Sequence, residues 1–377
     1  MSHSENFLII ADSDHDANML YAVGMFVPDP FIWLRLRGRD HVVMSDLEID
    51  RARVQAPHCK IHSLTTFQEK LRARGIKRPR LADVTAQFLR EKKVRRALVP
   101  HNFPLGLANE LAKQKISVRV KSGDFFPERE IKSPVEVRHL TAALRMAEDG
   151  MAAGIAALRA SKIGKARKLI FRGAPLTSER LRAEIDSAII QAGGLPAHTI
   201  VAGGEQGCDP HEGGHGQLRA HEPIIIDIFP RAQATGYFGD ITRTVVRGRA
   251  SEAVKKLYDT VHAGQRIAFN KMRAGTPTNE VHRAVQELFQ SRGYQTGQRN
   301  GRMEGFFHGT GHGLGLEIHE APRVGATSTG KLKAGQVVTV EPGLYYPGIG
   351  GVRLEDVALV TKSKPRNLTK FEKVLEL

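Results

Sequence analysis

Five side chains able to bind metal or move protons interrupt stretches that otherwise read as apolar or glycine-rich. Pro223-Ile-Ile-Ile-Asp227-Ile-Phe229 and Tyr237-Phe-Gly-Asp240-Ile-Thr-Arg-Thr-Val-Val246 read as the arms of a β-hairpin, with a turn from Pro230 to Gly236 and one carboxylate in each arm. A carboxylate inside an apolar strand is costly to bury unless something offsets its charge. Arg243 could do so, and the hairpin alone is compatible with a buried salt bridge or with a metal site. A second segment, His308-Gly-Thr-Gly-His312-Gly-Leu-Gly-Leu-Glu-Ile-His319, places three histidines among four glycines. The glycines allow close backbone approach to a centre that side chains would block. A phosphate loop fits poorly, because the run lacks the Gly-Lys-Ser/Thr ending and the Gly-x-Gly-x-x-Gly spacing. Two further carboxylates, Glu341 in Val337-Val-Thr-Val-Glu341-Pro-Gly343 and Glu355 in Gly351-Val-Arg353-Leu-Glu355-Asp-Val-Ala-Leu-Val360, lie in strand-like runs. Strand alternation puts Arg353 and Glu355 on one face, where Arg353 either orients Glu355 or simply neutralises it.

Together these segments offer four carboxylates, Asp227, Asp240, Glu341 and Glu355, and one imidazole, His312. Such a hard, oxygen-rich set suits a pair of Mn(II), Co(II), Fe(II) or Zn(II) ions. Two metals sharing bridging carboxylates lower the pKa of a water held between them and polarise a substrate carbonyl, which is the chemistry of metal-assisted hydrolysis.

The elements that must hold these residues repeat. A serine cap, Pro134 at the first helical position and Glu136 three residues after Ser133 open a helix of about 134–160. A second helix, Thr177 to Gln191, ends at Gly193-Gly194, and strands are expected at Thr199–Ala202, Pro223–Phe229 and Tyr237–Val246. The pattern recurs with helices from Ser251 to Arg273 and Thr278 to Gln290, then strands at Val337–Glu341 and Val352–Val360. Two α+β halves of similar length predict a pseudo-symmetric domain with the ligands in the cleft between its halves. Before it, strands at Phe7–Ala11, His41–Met44, Ala97–Pro100 and Val118–Lys121 alternate with helices at Ser63–Gly75, Leu81–Lys93 and Leu105–Lys115, an α/β domain ending near Phe125-Phe-Pro127. The division drawn is 1–130 for this domain and 131–377 for the catalytic one.

The 377 residues are too many for one ordinary core, and 41% hydrophobic with 25% charged residues is a globular composition. The start of the chain lacks a basic segment and a long apolar run, and no stretch has the length and apolarity of a membrane span. With two cysteines, Cys59 and Cys208, a disulfide framework is not expected, and the reading is cytoplasmic. The net charge of +16 raises the question of an acidic partner. Much of it sits between Lys70 and Arg96 with no finger spacing and no aromatic RNA-binding signature, so it reads as a solvated surface and not as a nucleic-acid site.

The ordered set Ile226-Asp227, Gly239-Asp240-Ile-Thr-Arg-Thr244, His308-x-x-Gly-His312-Gly-x-Gly, Glu341-Pro-Gly and Arg353-x-Glu355-Asp356 resembles the pita-bread metallopeptidases of family M24, which include methionine aminopeptidase, Xaa-Pro aminopeptidase, prolidase and creatinase. The resemblance implies a pita-bread C-terminal domain of two α+β halves. It implies that Asp227 chelates one metal, that Asp240 and Glu355 bridge both, and that His312 and Glu341 complete the second metal's shell, Glu341 also moving protons. His211, in Cys208-Asp-Pro-His211-Glu212, matches the family's cleft histidine, and His308 and His319 match the pair that contacts substrate and the tetrahedral intermediate. Arg353 belongs to the same catalytic set. The α/β N-terminal domain points to the Xaa-Pro branch, and Asp16-Ala-Asn18-Met-Leu-Tyr21-Ala-Val-Gly24 is similar to the opening of creatinase-type N-domains. The expected partners are a peptide substrate and a second copy in a homodimer, since in this branch the cleft is often closed by a partner subunit. The function implied is an Xaa-Pro aminopeptidase with two divalent metals, Mn first; the alternatives are an Xaa-Pro dipeptidase and a non-catalytic binding protein on the same fold. All five ligand positions carry competent residues, which argues against the last. One departure is the twelve-residue spacing between the aspartates (228 to 239), longer than the family's usual one.

Overall fold

The computed structural model describes residues 5–377, and the part of the leader reading that falls on residues 1–4 lies outside them. The chain divides into two compact units, Met1–Pro127 and Glu128–Leu377.

The first unit is built on a six-stranded mixed sheet whose central strands, Phe7–Ala11 and Phe31–Leu36, are joined antiparallel, while Arg96–Val99 and Ser117–Val120 run parallel to Phe7–Ala11. Both faces are covered. Leu8, Ile32 and Leu34 pack with Phe88 and Leu111 on one side, and Ile9, Trp33 and Val42 with Met19, Val23 and Phe125 on the other. The expected helices are present at Leu64–Ala73, Leu81–Glu91 and Leu105–Lys113. The strand Phe31–Leu36 was not expected. It pairs with Arg39–Met44 across Arg37 and Gly38, both at positive φ (52° and 77°), the tight-hairpin conformation in which glycine is at home. Strand Lys60–Ser63 and helices Ala17–Val23 and Asp46–Gln55 were also missed. The first of these helices carries plain end signals, Asp16 accepting from Met19 N and Gly24 at φ 69°.

The second unit repeats itself. Ser133 Oγ accepts from Glu136 N (3.3 Å) while Glu136 Oε2 accepts from Ser133 N (2.8 Å), the reciprocal cap that starts helix Pro134–Ala160. This helix and Ser178–Gln191 pack through Met151, Ile155, Ile185 and Ile189 against an antiparallel sheet of Ile200–Gly203, Pro223–Ile228 and Ile241–Val246. Helices Glu252–Lys271 and Thr278–Ser291 then cover a five-stranded antiparallel sheet that includes Glu320–Val324, Gly311–Gly313, Val337–Val340 and Asp356–Leu359. Their core holds Leu257, Val285, Phe289, Val338 and Val352.

Three expected strands are shorter than read. The hairpin ladder ends at Ile228 opposite Ile241, so Asp240 precedes its strand; Val340 opposite Asp356 ends another, so Glu341 follows its strand. Val352–Val360 is two strands: Arg353 pairs with Gly343 in a separate hairpin, and Asp356 returns to the main sheet. Glu355 sits in the crossing, its N–H donating to Thr242 O at 3.0 Å. Strand alternation therefore does not govern Arg353 and Glu355, because the chain changes sheets between them.

Glycines permit the closest approaches. A Cβ on Gly311 would lie 1.9 Å from Thr339 O, and one on Gly313 2.0 Å from Ala321 O, so the strand bearing His312 fits between its neighbours only without side chains at these positions. Gly239, before Asp240, lies against the backbone of helix Pro134–Ala160, where a Cβ would be 2.4 Å from Ala143 O. Gly239→Ala is expected to destabilise the protein by about 1–3 kcal/mol through overpacking and to weaken metal binding by displacing Asp240. Chemical denaturation with a parallel metal titration checks this; wild-type values in both would show that the helix yields freely.

Candidate active site

The two halves of the second unit meet along a seam of hydrogen bonds that also carries the site. Thr244 Oγ1 donates to Arg353 O and accepts from Arg353 N, both at 3.0 Å. Thr242 Oγ1 donates to Glu355 Oε2 at 2.8 Å. Arg243, fully buried, donates to Glu355 O (2.6 Å), Phe371 O (2.7 Å), Glu372 O (2.9 Å) and Asp356 Oδ1 (2.9 Å). Its charge thus answers Asp356 and not Asp227, because its side chain leaves the hairpin on the face opposite the cavity lined by Asp227.

That cavity, of about 600 Å³, is lined by Asp227, Asp240, His312, Glu341 and Glu355, with His211, His308, His319 and Arg353 around them. All nine residues singled out in the sequence line it. Ligand atoms of Asp240, His312 and Glu355 lie within 4.8 Å of one another, and His312 Nε2 is 3.3 Å from Glu341 Oε1 and 3.7 Å from Asp240 Oδ2. His312 Nδ1 is 3.1 Å from Gly313 O. A carbonyl only accepts, so the proton is on Nδ1 and the Nε2 lone pair faces the carboxylates, the orientation a metal-binding imidazole needs.

Arg353 does not pair with Glu355. Its guanidinium donates to Asp227 Oδ2 at 2.6 Å and to Tyr345 Oη at 2.9 Å, and it reaches Glu355 only through Thr242, at 3.4 Å. Tyr345 was not anticipated. Its hydroxyl lies 2.9 Å from His308 Nε2, and His308 Nδ1 lies 2.8 Å from Gly309 O. Donors and acceptors then fall into one order: Arg353 to Tyr345, Tyr345 to His308 Nε2, His308 Nδ1–H to Gly309. Both His308 nitrogens are engaged, whereas the exposed His319, edge-on to His312 at 4.4 Å between centroids, keeps its ring open to the cavity. Phe229, Phe307, Ile200 and Ile318 form apolar walls, and Arg323 is a cation on the lining whose charge acts on Glu341. No spacing rule marks Tyr345 or Phe307. Arg323, four residues past His319, was within reach as a charge next to the motif.

The carboxylates of the cluster repel one another and resist ionisation. Burial, reinforced by Asp227 and Glu341, pushes Asp240 well above the usual carboxylate range. Burial with Asp240 and Glu341 does the same to Glu355. Loss of solvent, joined by the charge of Asp227 and opposed by Arg353, brings Glu341 up to about 7. Burial holds His312 and His308 down to about 3, so both imidazoles are neutral at working pH. Asp227 Oδ1 and Glu355 Oε1 are buried without a hydrogen-bond partner among the described residues. Buried acceptors are rarely left so. Converging carboxylates, two orphaned oxygens and an aimed imidazole fit divalent cations, which would satisfy all three at once.

Two α+β halves with a carboxylate cluster on their seam define a metallopeptidase of the pita-bread fold. Residues 138–362 match the model of metallopeptidase family M24. An Xaa-Pro dipeptidase of Pyrococcus horikoshii is 32% identical over 282 residues, covering 74% of each chain. Another, of Pyrococcus furiosus, is 33% identical over 178 residues, and this match spans 47% of the chain and only 48% of that relative. The crystal structure of an X-Pro aminopeptidase from Thermotoga maritima superposes with a TM-score of 0.82 at 21% identity, over 99% of this chain and 97% of that one. The chain belongs to metallopeptidase family M24, and membership implies divalent metal ions.

A metal held by this cluster would compete with protons for its carboxylates. Glu341, with a pKa of about 7, would lose its proton on binding, the upward-shifted Asp240 and Glu355 act in the same direction, and His312 takes none until about pH 3. Mn(II) affinity is therefore expected to fall as pH drops from about 8 to about 6, with net proton release seen by calorimetry in buffers of different ionisation enthalpy. A flat affinity across that window would refute the cluster as the binding site.

Proposed function

We propose that the chain cleaves the bond between an N-terminal residue and a following proline, with two divalent metals held by Asp227, Asp240, His312, Glu341 and Glu355. The observation that supports this most directly is the buried group of four carboxylates with two orphaned oxygens and one imidazole lone pair aimed at it. When bound, the metal pair, with Mn the first choice, supplies an activated water and a Lewis-acid contact to the scissile carbonyl.

The remaining work falls to side chains. Glu341, near neutrality in its proton affinity, is suited to take a proton from the attacking water and hand it to the departing proline nitrogen, which as a tertiary amide has none of its own. His319, neutral and open to the cavity, is placed to hydrogen-bond the tetrahedral oxygen. His308, bound on both nitrogens, keeps Tyr345 and through it Arg353 in register with Asp227. His211 lies exposed on the lining, where it can meet the substrate backbone. Phe229, Phe307 and Ile200 provide an apolar surface of the kind a proline ring fills.

The N-terminal α/β unit supports the Xaa-Pro branch as a whole, and within it the aminopeptidase is the first reading. A dipeptidase reading is favoured by Arg323, whose exposed guanidinium on the lining could take the free carboxylate of Xaa-Pro, and by the names of the two Pyrococcus relatives. Assays on Xaa-Pro beside Xaa-Pro-Yaa peptides with Mn(II), Co(II) and Zn(II) separate the two. If the chain is a dipeptidase, Arg323→Ala should raise KM for Xaa-Pro tenfold or more with a small change in kcat. Asp240→Ala and Glu355→Ala are each expected to lower kcat by at least about a thousandfold. Wild-type turnover in either variant, or failure on every proline substrate, defeats the proposal.

A further inference from the structure

Well away in the chain from the catalytic residues, the first unit gathers another set of ligand-type side chains. Asp40, His58 and Cys59 each bring a ligand atom within 4.8 Å of the others. The topology makes them meet: Asp40 lies on strand Arg39–Met44, and Cys59 directly precedes Lys60–Ser63, which runs parallel beside it with His41 opposite Lys60. We propose that this trio is an additional metal site, taking one Zn(II)-type ion through a thiolate, an imidazole and a carboxylate.

The surroundings of the trio reproduce the devices that prepare the catalytic cluster. His58 Nε2 is 2.9 Å from Ala22 O, so its proton is on Nε2 and Nδ1 carries the lone pair, as the Gly313 carbonyl arranges for His312 with the nitrogens exchanged. Asp40 accepts from Arg35 Nε (2.7 Å) and Nη2 (3.0 Å), much as Asp227 accepts from Arg353. Each Asp40 oxygen keeps a further lone pair, so this pairing orients the carboxylate without using it up. Cys59 is a buried free thiol, and the exposed His58 leaves a route from solvent. Sulfur, nitrogen and oxygen ligands together suit Zn(II) in a tetrahedron with a solvent molecule in the fourth position. On binding, the Cys59 S–H bond breaks, its proton passes to solvent, and the thiolate forms the S–metal bond with no change of oxidation state. The ion ties the segment before the edge strand Lys60–Ser63 to the start of its neighbour Arg39–Met44, a structural role at one edge of the sheet in a unit that carries none of the catalytic residues.

Co(II) titration of the full chain under reducing conditions tests this. Thiolate ligation gives a sulfur-to-cobalt charge-transfer absorption in the near ultraviolet, which the all-oxygen-and-nitrogen catalytic cluster cannot produce. The expected result is such a band saturating at one equivalent per chain, kept in Asp240→Ala and Cys208→Ser and lost in Cys59→Ser. His58 is exposed, so His58→Ala keeps the test valid should Cys59→Ser fold poorly, and it should weaken Co(II) binding at least tenfold at this band. Absence of the band in the wild type, or its survival in Cys59→Ser, overturns the proposal.

Discussion

Four carboxylates crowd one cavity, and most of the second unit can be understood as a frame that keeps them there against their own repulsion. Of the nearby groups, Arg353 returns positive charge directly, and it is committed to Asp227. The others answer the repulsion by holding protons, as the upward shifts of Asp240, Glu355 and Glu341 record. A buried charge left unpaired costs several kcal/mol, so these carboxylates stay ionised together only where divalent cations offset their charge. The same burial makes Glu341 useful, because a carboxyl with a pKa near 7 can both accept and release a proton at working pH.

The frame works because its stiffest contacts are backbone contacts. Arg243 does not touch the cavity, yet it clamps the carbonyl of Glu355 together with those of Phe371 and Glu372, and so sets where the Glu355 side chain begins. Gly311 and Gly313 let three strands close around His312 at distances no Cβ would allow. Thr242 and Thr244, on one strand of the first half, reach across to Glu355 and Arg353 of the second. The site is held where two packed sheets exchange hydrogen bonds, which resists the drift of ligands that a loop-built site would suffer.

How much of this could be read beforehand depended on how local each signal was. The cap at Ser133 and Glu136 and the apolar spacing of the long helices were local and readable, because helix ends and amphipathic faces are decided within a few residues. The ligand residues stood out because buried carboxylates are expensive wherever they occur. The strand Phe31–Leu36 escaped notice although Arg37-Gly38 announces its turn; a central strand buried on both faces lacks the alternation that marks a half-exposed one. The partners of Arg243 and Arg353 were misassigned because each was sought nearby in sequence. Their true partners, Asp356 and Asp227, lie more than a hundred residues away.

By itself, then, the chain's sequence determined which residues could serve as ligands, that they fall in two similar α+β halves, and which family the chain resembles, since these rest on residue type, spacing and local periodicity. Only the tertiary structure decided what each ligand leans on. It set Asp240 and Glu341 just beyond their strands, put Glu355 at a crossing between sheets, placed Tyr345 between Arg353 and His308, and aimed the His312 lone pair by way of a neighbouring carbonyl. These features depend on where ladders end and which backbone atoms come face to face, and that follows from packing the two halves together rather than from any one stretch of residues.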